Sequence, residues 1–146
     1  MITRRDVVVA FFATGVTLCL VAVAGQKTPV MQSSIFDWNS IPAEKTDIGA
    51  VRHFFQTPTA SLDELECHVT TVNPGATSHP PHQHPDEELV IMKEGTVEAF
   101  ANGETKTIGP GSLVFCASNQ PHGVRNVGKV PATYFAIRWT SPGMKK

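Results

Sequence analysis

The chain has 146 residues, which is enough for one domain with a substantial core and too few for two. Its formal net charge is −1 with neutral histidines and no basic stripe runs along it, so nucleic acid is not expected as a partner. The composition is ordinary for a globular protein, with no low-complexity tract and no internal repeat.

The first 24 residues carry the pattern of an export signal. A basic start at Arg4 and Arg5 precedes an apolar run that begins at Val7 and closes on Ala22-Val23-Ala24, a small-x-small cleavage pattern. We therefore predict a signal peptide over residues 1–24, a mature chain beginning at Gly25, and a periplasmic or secreted location. Cleavage would leave ten basic and twelve acidic side chains.

The same segment allows two finer interpretations. The stretch TRRDVVV resembles a twin-arginine export signal, with Val7-Val8 in place of the usual Phe-Leu. That route carries folded proteins, which can leave the cytosol with a metal already bound. The alternative is an uncut membrane anchor, because the 18 residues from Val7 to Ala24 lie at the lower limit of a bilayer span. A membrane is expected as a partner only through such an uncut segment.

Residues 25–60 are less regular than the rest of the mature chain. The stretch IFDWNSIP carries large apolar groups followed by polar residues, and VRHFFQTP is typical of a strand. We predict an N-terminal arm and a first strand here. The arm is expected to pack on the following domain or on a second subunit, which predicts a homodimer.

Residues 61–140 alternate short apolar runs with turn residues, a pattern typical of an all-β sandwich or small barrel. Asn102-Gly103 is a strong signal for a two-residue hairpin, because both residues tolerate the positive φ of a type I′ turn. Residues 141–146 are expected to be a frayed tail. The strand-like segments are LECHVTTV, ELVIMKEG, TVEAFANGE, TKTIGPG, SLVFCASNQP and ATYFAIRW.

The mature chain keeps two cysteines, Cys67 and Cys116. In an oxidising compartment they could form a disulfide, but their separation in space does not follow from the sequence. Both lie inside apolar strand-like runs, which favours two buried free thiols.

His82, His84 and Glu88 form a candidate half of a metal site. Residues two apart on an extended chain point to the same side, so the two imidazoles converge, and Glu88 has the same parity across a turn at Pro85. Two imidazoles and a carboxylate suit a first-row transition metal. Prolines on both sides stiffen the backbone and lower the cost of ordering it. The other half is expected near His122.

These residues resemble the two motifs of the cupin superfamily. The first motif is matched with the metal residues in place, and the second is matched except at its Pro-x-Gly turn, where Ala117 and Asn119 stand instead. Asn119 tolerates the positive φ that glycine would supply. The first match comprises Gly75, His82, His84, Glu88 and Gly95; the second comprises Gly111, His122 and Asn126.

The resemblance implies a small cupin jelly-roll barrel over residues 61–140 with a divalent metal bound by His82, His84, Glu88 and His122. Iron or manganese is favoured, with zinc or nickel as alternatives. Cupins with this ligand set include dioxygenases and other metal-dependent enzymes that act on small molecules, and dioxygenase chemistry is the leading subtype. The alternative is a metal-containing domain that binds a small molecule or sugar without turnover.

Other polar residues have weaker cases. His79 is expected at the rim of the site, Glu87 in solvent, and Gln120 and Asn126 as supports that orient His122. His53 and His68 have no partner acid at metal-site spacing, so no functional role is assigned to them. Tyr134 and Arg138 share a strand face; they are either a substrate anchor or surface-exposed residues without a functional role. The expected barrel core includes Met92, Phe100, Phe115, Phe135, Ile137 and Trp139.

Overall fold

The computed structural model describes residues 29–144, so the predicted signal peptide and its cleavage site lie outside the described residues. No helix within that range is long and apolar enough to cross a membrane. Its helical content is one turn of 3-10 helix at Trp38–Ser40, which Asp37 caps by accepting from the backbone N–H of Asn39.

The described residues form nine strands, as the alternating pattern predicts. Their bounds are β1 Glu44–Thr46, β2 Gly49–Thr57, β3 Glu64–Val72, β4 Glu87–Glu94, β5 Val97–Ala101, β6 Glu104–Ile108, β7 Leu113–Cys116, β8 His122–Asn126 and β9 Ala132–Thr140.

The strands pair into two antiparallel sheets. The larger sheet has the order β1-β2-β3-β9-β4-β7 and the smaller has the order β6-β5-β8. The pairing of β3 with β9 runs without a shift from Glu64 opposite Thr140 to Val72 opposite Ala132. The all-β class is thus confirmed, with the two layers of a cupin fold.

The core lies between the sheets and is built by alternation along each strand. On β9, Tyr134 and Ala136 are buried, whereas the alternate residues Phe135 and Ile137 point to the other side of the sheet and are half-buried. The core cluster comprises Val72, Val90, Met92, Val97, Val124, Ala132, Tyr134 and Ala136.

Five of the six residues expected in the core lie outside this cluster. Phe115 is 50% exposed, and the other four, Phe100, Phe135, Ile137 and Trp139, are half-buried. Phe115 and Trp139 stack at 6.5 Å between ring centroids. The large sheet therefore has a second apolar face, which alternation in the sequence does not distinguish from the core face.

The N-terminal arm packs on part of that second face. Phe36 lies 5.1 Å from Phe55 and Trp38 lies 6.2 Å from Phe135, measured between ring centroids. The backbone N–H of Met31 donates to the carbonyl of Pro58. The arm thus contacts its own barrel, which is one of the two placements expected from the sequence.

Two asparagines adopt the left-handed conformation that the sequence predicts for them. Asn102, at φ 47°, closes the hairpin between β5 and β6 with Gly103 at φ 85°. Asn119, at φ 57°, takes the place of the expected glycine in the turn before β8. That turn delivers His122 to the start of its strand.

Candidate metal centre

A backbone bridge holds two of the predicted ligands together. His82, in the loop before β4, and His122, at the start of β8, exchange backbone hydrogen bonds of 3.0 and 2.9 Å. Their ring centroids lie 4.5 Å apart. Because both hydrogen bonds join backbone atoms, the backbone fixes how far apart the two imidazoles lie.

His84 completes a cluster of three imidazoles. Its ring lies 5.4 Å from that of His82 and 4.8 Å from that of His122, between centroids. The backbone N–H of Asn119 donates to the carbonyl of His84 at 2.8 Å, which joins the His84 loop to the turn before His122. His79 lies beside this cluster, 4.0 Å from His82 between ring centroids.

Hydrogen bonds to carbonyls fix the tautomers of two of these rings. Nδ1–H of His84 donates to the carbonyl of Asp86, and Nδ1–H of His122 donates to that of Gln120, both at 2.9 Å. Each Nε2 then carries a lone pair. Both Nε2 atoms are buried without a hydrogen-bond partner in the described part of the chain. Such atoms are costly to bury unless a ligand satisfies them.

His82 is held in its neutral form. Its pKa is lowered to about 4, mainly by burial and in addition by the neighbouring rings of His79, His122 and His84, which disfavour a second positive charge. Nδ1 of His82 also has no partner within residues 29–144. A neutral imidazole with a free lone pair is the form that binds metal.

Glu88 approaches the cluster from β4. Its carboxylate lies 3.5 Å from Nε2 of His84. The ligand atoms of His82, His84 and His122 lie within 4.8 Å of one another, and those of Glu88, Cys116 and His122 form a second such group. The four predicted ligands thus fall into two overlapping groups that share His122. The second group includes Cys116, which the sequence did not indicate as a metal ligand.

This donor set fits a divalent transition metal. Two buried Nε2 atoms lack a hydrogen-bond partner among residues 29–144, a third imidazole is neutral, and a carboxylate borders the same space. Imidazole and carboxylate are common ligands of iron, manganese, zinc and nickel, so the donors alone do not select among these metals.

Both groups line one cavity of about 350 Å³ inside the barrel. Its wall also includes Glu66 and His68 from β3 and Tyr134 and Arg138 from β9. Tyr134 is buried, and burial raises the pKa of its hydroxyl. Tyr134 and Arg138 therefore line the cavity. The alternative left open by the sequence, that both are surface-exposed residues without a functional role, does not describe their position.

Glu66 and His68 form a pair that the sequence analysis missed. Nδ1–H of His68 donates to Oε1 of Glu66 at 3.0 Å, and Arg138 forms an ion pair with the other oxygen of Glu66. The hydrogen bond from His68 lowers the pKa of Glu66, and the charge of Arg138 adds to this against the opposing effect of burial. Residues 66 and 68 share a strand face, so their parity was the available signal.

The expected supports of His122 act differently from the prediction. Gln120 orients His122 through its backbone carbonyl and not through its side chain. Asn126 is fully buried and its amide donates to the carbonyls of Val72 and Val130, both at 2.8 Å. Asn126 thereby joins the loop before β9 to the end of β3, and its side-chain hydrogen bonds within the described residues do not include His122. Glu87 is half-buried and accepts from the indole N–H of Trp139 at 3.0 Å.

The two cysteines of the described range are buried and not bridged to each other. Burial raises the pKa of the Cys67 thiol to about 11 and that of the Cys116 thiol to about 12, with Glu66 and Glu88 respectively adding to the effect. Both are therefore neutral thiols at physiological pH. Cys116 borders the cavity, while Cys67 has the opposite parity on β3 from Glu66 and His68.

Comparison with known proteins agrees with this fold. A family model described as "Cupin domain" matches residues 68–138, which include every predicted metal ligand. The matched stretch is thus similar to a cupin domain, and the chain has the cupin fold. No curated protein sequence matches the chain significantly.

Solved structures show the same fold at low sequence identity. KdgF from Halomonas sp. superposes with a TM-score of 0.62 at 16% identity, covering 77% of this chain and 97% of that one. A predicted oxalate decarboxylase from Thermotoga maritima gives 0.58 at 17%, covering 73% and 99%. An RmlC-like cupin from Shewanella frigidimarina gives 0.59 at 12%, covering 77% and 95%. At these identities the likeness concerns the fold alone.

Proposed function

We propose that this protein is a metal-dependent enzyme that acts on a small molecule in the barrel cavity. The observation that carries the proposal is the shared cavity: three imidazoles suited to a metal and the hydrogen-bonded pair of His68 and Glu66 line the same space. A metal site alone would suit a binding domain equally well. A separate group able to move a proton favours catalysis.

His68 is the proton-transfer group in this proposal. Because its Nδ1–H donates to Glu66, its Nε2 carries the lone pair and can accept a proton from a bound molecule. Glu66 remains ionised, as its lowered pKa indicates, and stabilises the imidazolium that forms. Arg138 in turn holds Glu66 in position. The three residues therefore act as one unit on the wall of the cavity.

A divalent ion bound by His82, His84, Glu88 and His122 would supply Lewis-acid chemistry and, as iron or manganese, electron transfer. Oxygenase chemistry is the leading subtype because the cupin resemblance implies it. The charged residues of the cavity wall are Glu66, Glu88 and Arg138, so with a divalent ion the formal charge sums to +1. This balance favours a small anionic substrate, such as a carboxylic acid with a second oxygen.

The test uses protein purified without an affinity tag and loaded separately with iron, manganese, zinc or nickel. Product formation from a panel of small hydroxy and keto acids is followed by NMR, together with oxygen uptake. We expect turnover with one metal, loss of turnover on chelation, and recovery when that metal is returned. Turnover that survives complete metal removal would contradict the proposal.

A matched pair of variants tests the role of His68. His68→Asn should keep its metal and lose most turnover, by the factor of about 10² to 10⁴ typical of a general acid–base group. His53→Asn is the control, because His53 is the exposed cross-strand partner of His68. Equal rates in the two variants would remove His68 from the mechanism. Ligand binding with no product from any metal would identify the protein as a binding domain.

Export and dimerisation are part of the same proposal. The sequence pattern of residues 1–24, which is typical of an export signal, supports a periplasmic or secreted location for the mature enzyme. The arm supports a homodimer, because its Ile35 side chain is fully exposed and Phe36 is 40% exposed beside it. Large apolar side chains at such a position gain from burial against a second subunit.

A further inference from the structure

Cys116 lies where a metal ligand would lie. It is the last residue of β7 and sits directly opposite Glu88 of β4, so the two side chains project side by side into the cavity. Its sulfur, a carboxylate oxygen of Glu88 and a ring nitrogen of His122 lie within 4.8 Å of one another. Cys116 is only 3% exposed, which keeps its sulfur away from bulk solvent.

A second observation independently points to a ligand at this position. His122 is only 4% exposed, and its Nε2 has no hydrogen-bond partner anywhere in residues 29–144. Its tautomer is fixed by the bond from Nδ1–H to Gln120, so the lone pair of Nε2 faces the cavity. A buried lone pair beside a sulfur and a carboxylate is satisfied by a cation.

We propose that Cys116 is a metal ligand, and that Glu88, Cys116 and His122 form a mixed sulfur, oxygen and nitrogen position next to the three-histidine cluster. The inference rests on the proposed metal site and names a ligand beyond the four motif residues. On binding, the thiol proton leaves to solvent and the sulfur lone pair forms the bond to the ion. No oxidant or reductant is required.

A thiolate ligand narrows the set of metals that the proposed site would take. Thiolate is a soft donor that favours iron, cobalt and zinc over manganese, whereas the histidine and carboxylate set alone serves all of them. The position also joins the two sheets, since Glu88 and Cys116 belong to the large sheet and His122 to the small one. Metal bound here would therefore link the layers of the barrel at one end of the cavity.

Cobalt alone is the probe for the test, added to the full-length mature protein under anaerobic, reducing conditions. We expect the near-ultraviolet charge-transfer band of a thiolate–cobalt bond in the unmodified protein and in Cys67→Ser. Cys116→Ser should lose that band while still binding cobalt through its remaining ligands. Its zinc affinity should fall by about tenfold or more, since even supporting residues of metal sites cost 10–100-fold.

Cys67→Ser is a matched control because Cys67 is the other buried free thiol of the described range and lies on the same large sheet. Its side chain alternates with those of Glu66 and His68, which line the cavity, and so lies on the opposite side of β3. X-ray absorption of the unmodified zinc protein gives a measurement that needs no variant. A sulfur neighbour at about 2.3 Å is expected, distinct from nitrogen at about 2.0–2.1 Å.

Three results would overturn the assignment while leaving the metal site standing. The first is full cobalt occupancy in the unmodified protein without a charge-transfer band, and the second is a zinc absorption spectrum with nitrogen and oxygen neighbours only. The third is a band that persists in Cys116→Ser, which would assign the thiolate elsewhere. If the unmodified protein binds neither cobalt nor zinc, both this inference and the proposed metal site are wrong.

Discussion

His68 and Glu66 lie two residues apart on one face of β3, with Nδ1 of His68 3.0 Å from Oε1 of Glu66. Arg138 approaches the same carboxylate from β9, where its backbone is the direct cross-strand partner of Glu66. The pair thus combines a local contact set by strand parity with a contact that exists only because β3 and β9 are neighbours. Glu66 is 8% exposed, so these contacts satisfy a buried charge.

The buried carboxylate predicts a stability that depends on pH. The pKa of Glu66 is lowered from 4.5, so the folded state favours its ionised form. Its contribution is fully present above about pH 4.5 and is lost as the pH falls through the lower folded pKa. Glu66→Gln should therefore cost about 1–3 kcal/mol of unfolding free energy at neutral pH and less at about pH 3.

Urea unfolding of the metal-free protein at the two pH values measures this difference. Glu104→Gln is the control, because the pair of Glu104 with Lys106 is exposed and such pairs contribute little. A cost for Glu66→Gln that is the same at both pH values would show that the charge of Glu66 does not account for its stabilising effect.

The three-histidine cluster predicts which variants lose metal. His84→Ala or His122→Ala should remove most bound metal, because each deletes a buried Nε2 that faces the site. His79→Ala should retain it, since His79 contacts His82 from beside the cluster and is outside both candidate ligand groups of the described residues. Elemental analysis of untagged protein is the measurement. Metal content in His122→Ala equal to that of the unmodified protein would show that the second motif is not part of the site.

Gly95, between β4 and β5, predicts a large effect of a single methyl group. A Cβ at this position would lie 2.6 Å from Cα of Ala132, and φ is 81°. Gly103 has a similar φ of 85° but open space around it. Gly95→Ala should therefore lose about 1–3 kcal/mol more unfolding free energy than Gly103→Ala, as overpacking typically costs. Equal losses in urea unfolding would mean that the backbone at Ala132 moves aside freely.

The exposed arm predicts how the proposed dimer can be broken. Ile35 is fully exposed in the single chain, so Ile35→Lys should leave the folded subunit intact and convert a dimer to a monomer. Val130→Lys changes another exposed apolar residue, 59% accessible, and should leave the dimer unchanged. Sedimentation equilibrium of both variants is the measurement. A dimer that persists in Ile35→Lys would exclude Ile35 of the arm from the interface.

The export pattern predicts the mature N-terminus. Expression in a bacterial host with its export systems should yield protein that begins at Gly25, because the small-x-small pattern ends at Ala24. The intact mass of the exported protein decides this directly. A mass that includes residues 1–24 would favour the membrane-anchor interpretation.

Three features could be predicted from the sequence: the strand pattern, the two asparagine turns and the candidate metal ligands. These features depend on local chemistry: positive φ at Asn102 and Asn119, and the spacing of His82 and His84 on an extended chain. The spacing of His82 and His84 places both side chains on one side of the chain in any fold that keeps this segment extended. That His122 joins them was predicted from the cupin resemblance and not from this spacing.

The tertiary structure alone decided which faces of the large sheet look inward and which distant residues meet. Strand alternation separates Phe135 from Tyr134, but both faces of β9 carry large apolar side chains, so the pattern does not show which face meets the core. The contact of Glu66 with Arg138 and the approach of Cys116 to Glu88 depend on strand order and register. Strand order and register are set by the free energy of packing the whole chain, which cannot be predicted from the spacing of residues within one segment.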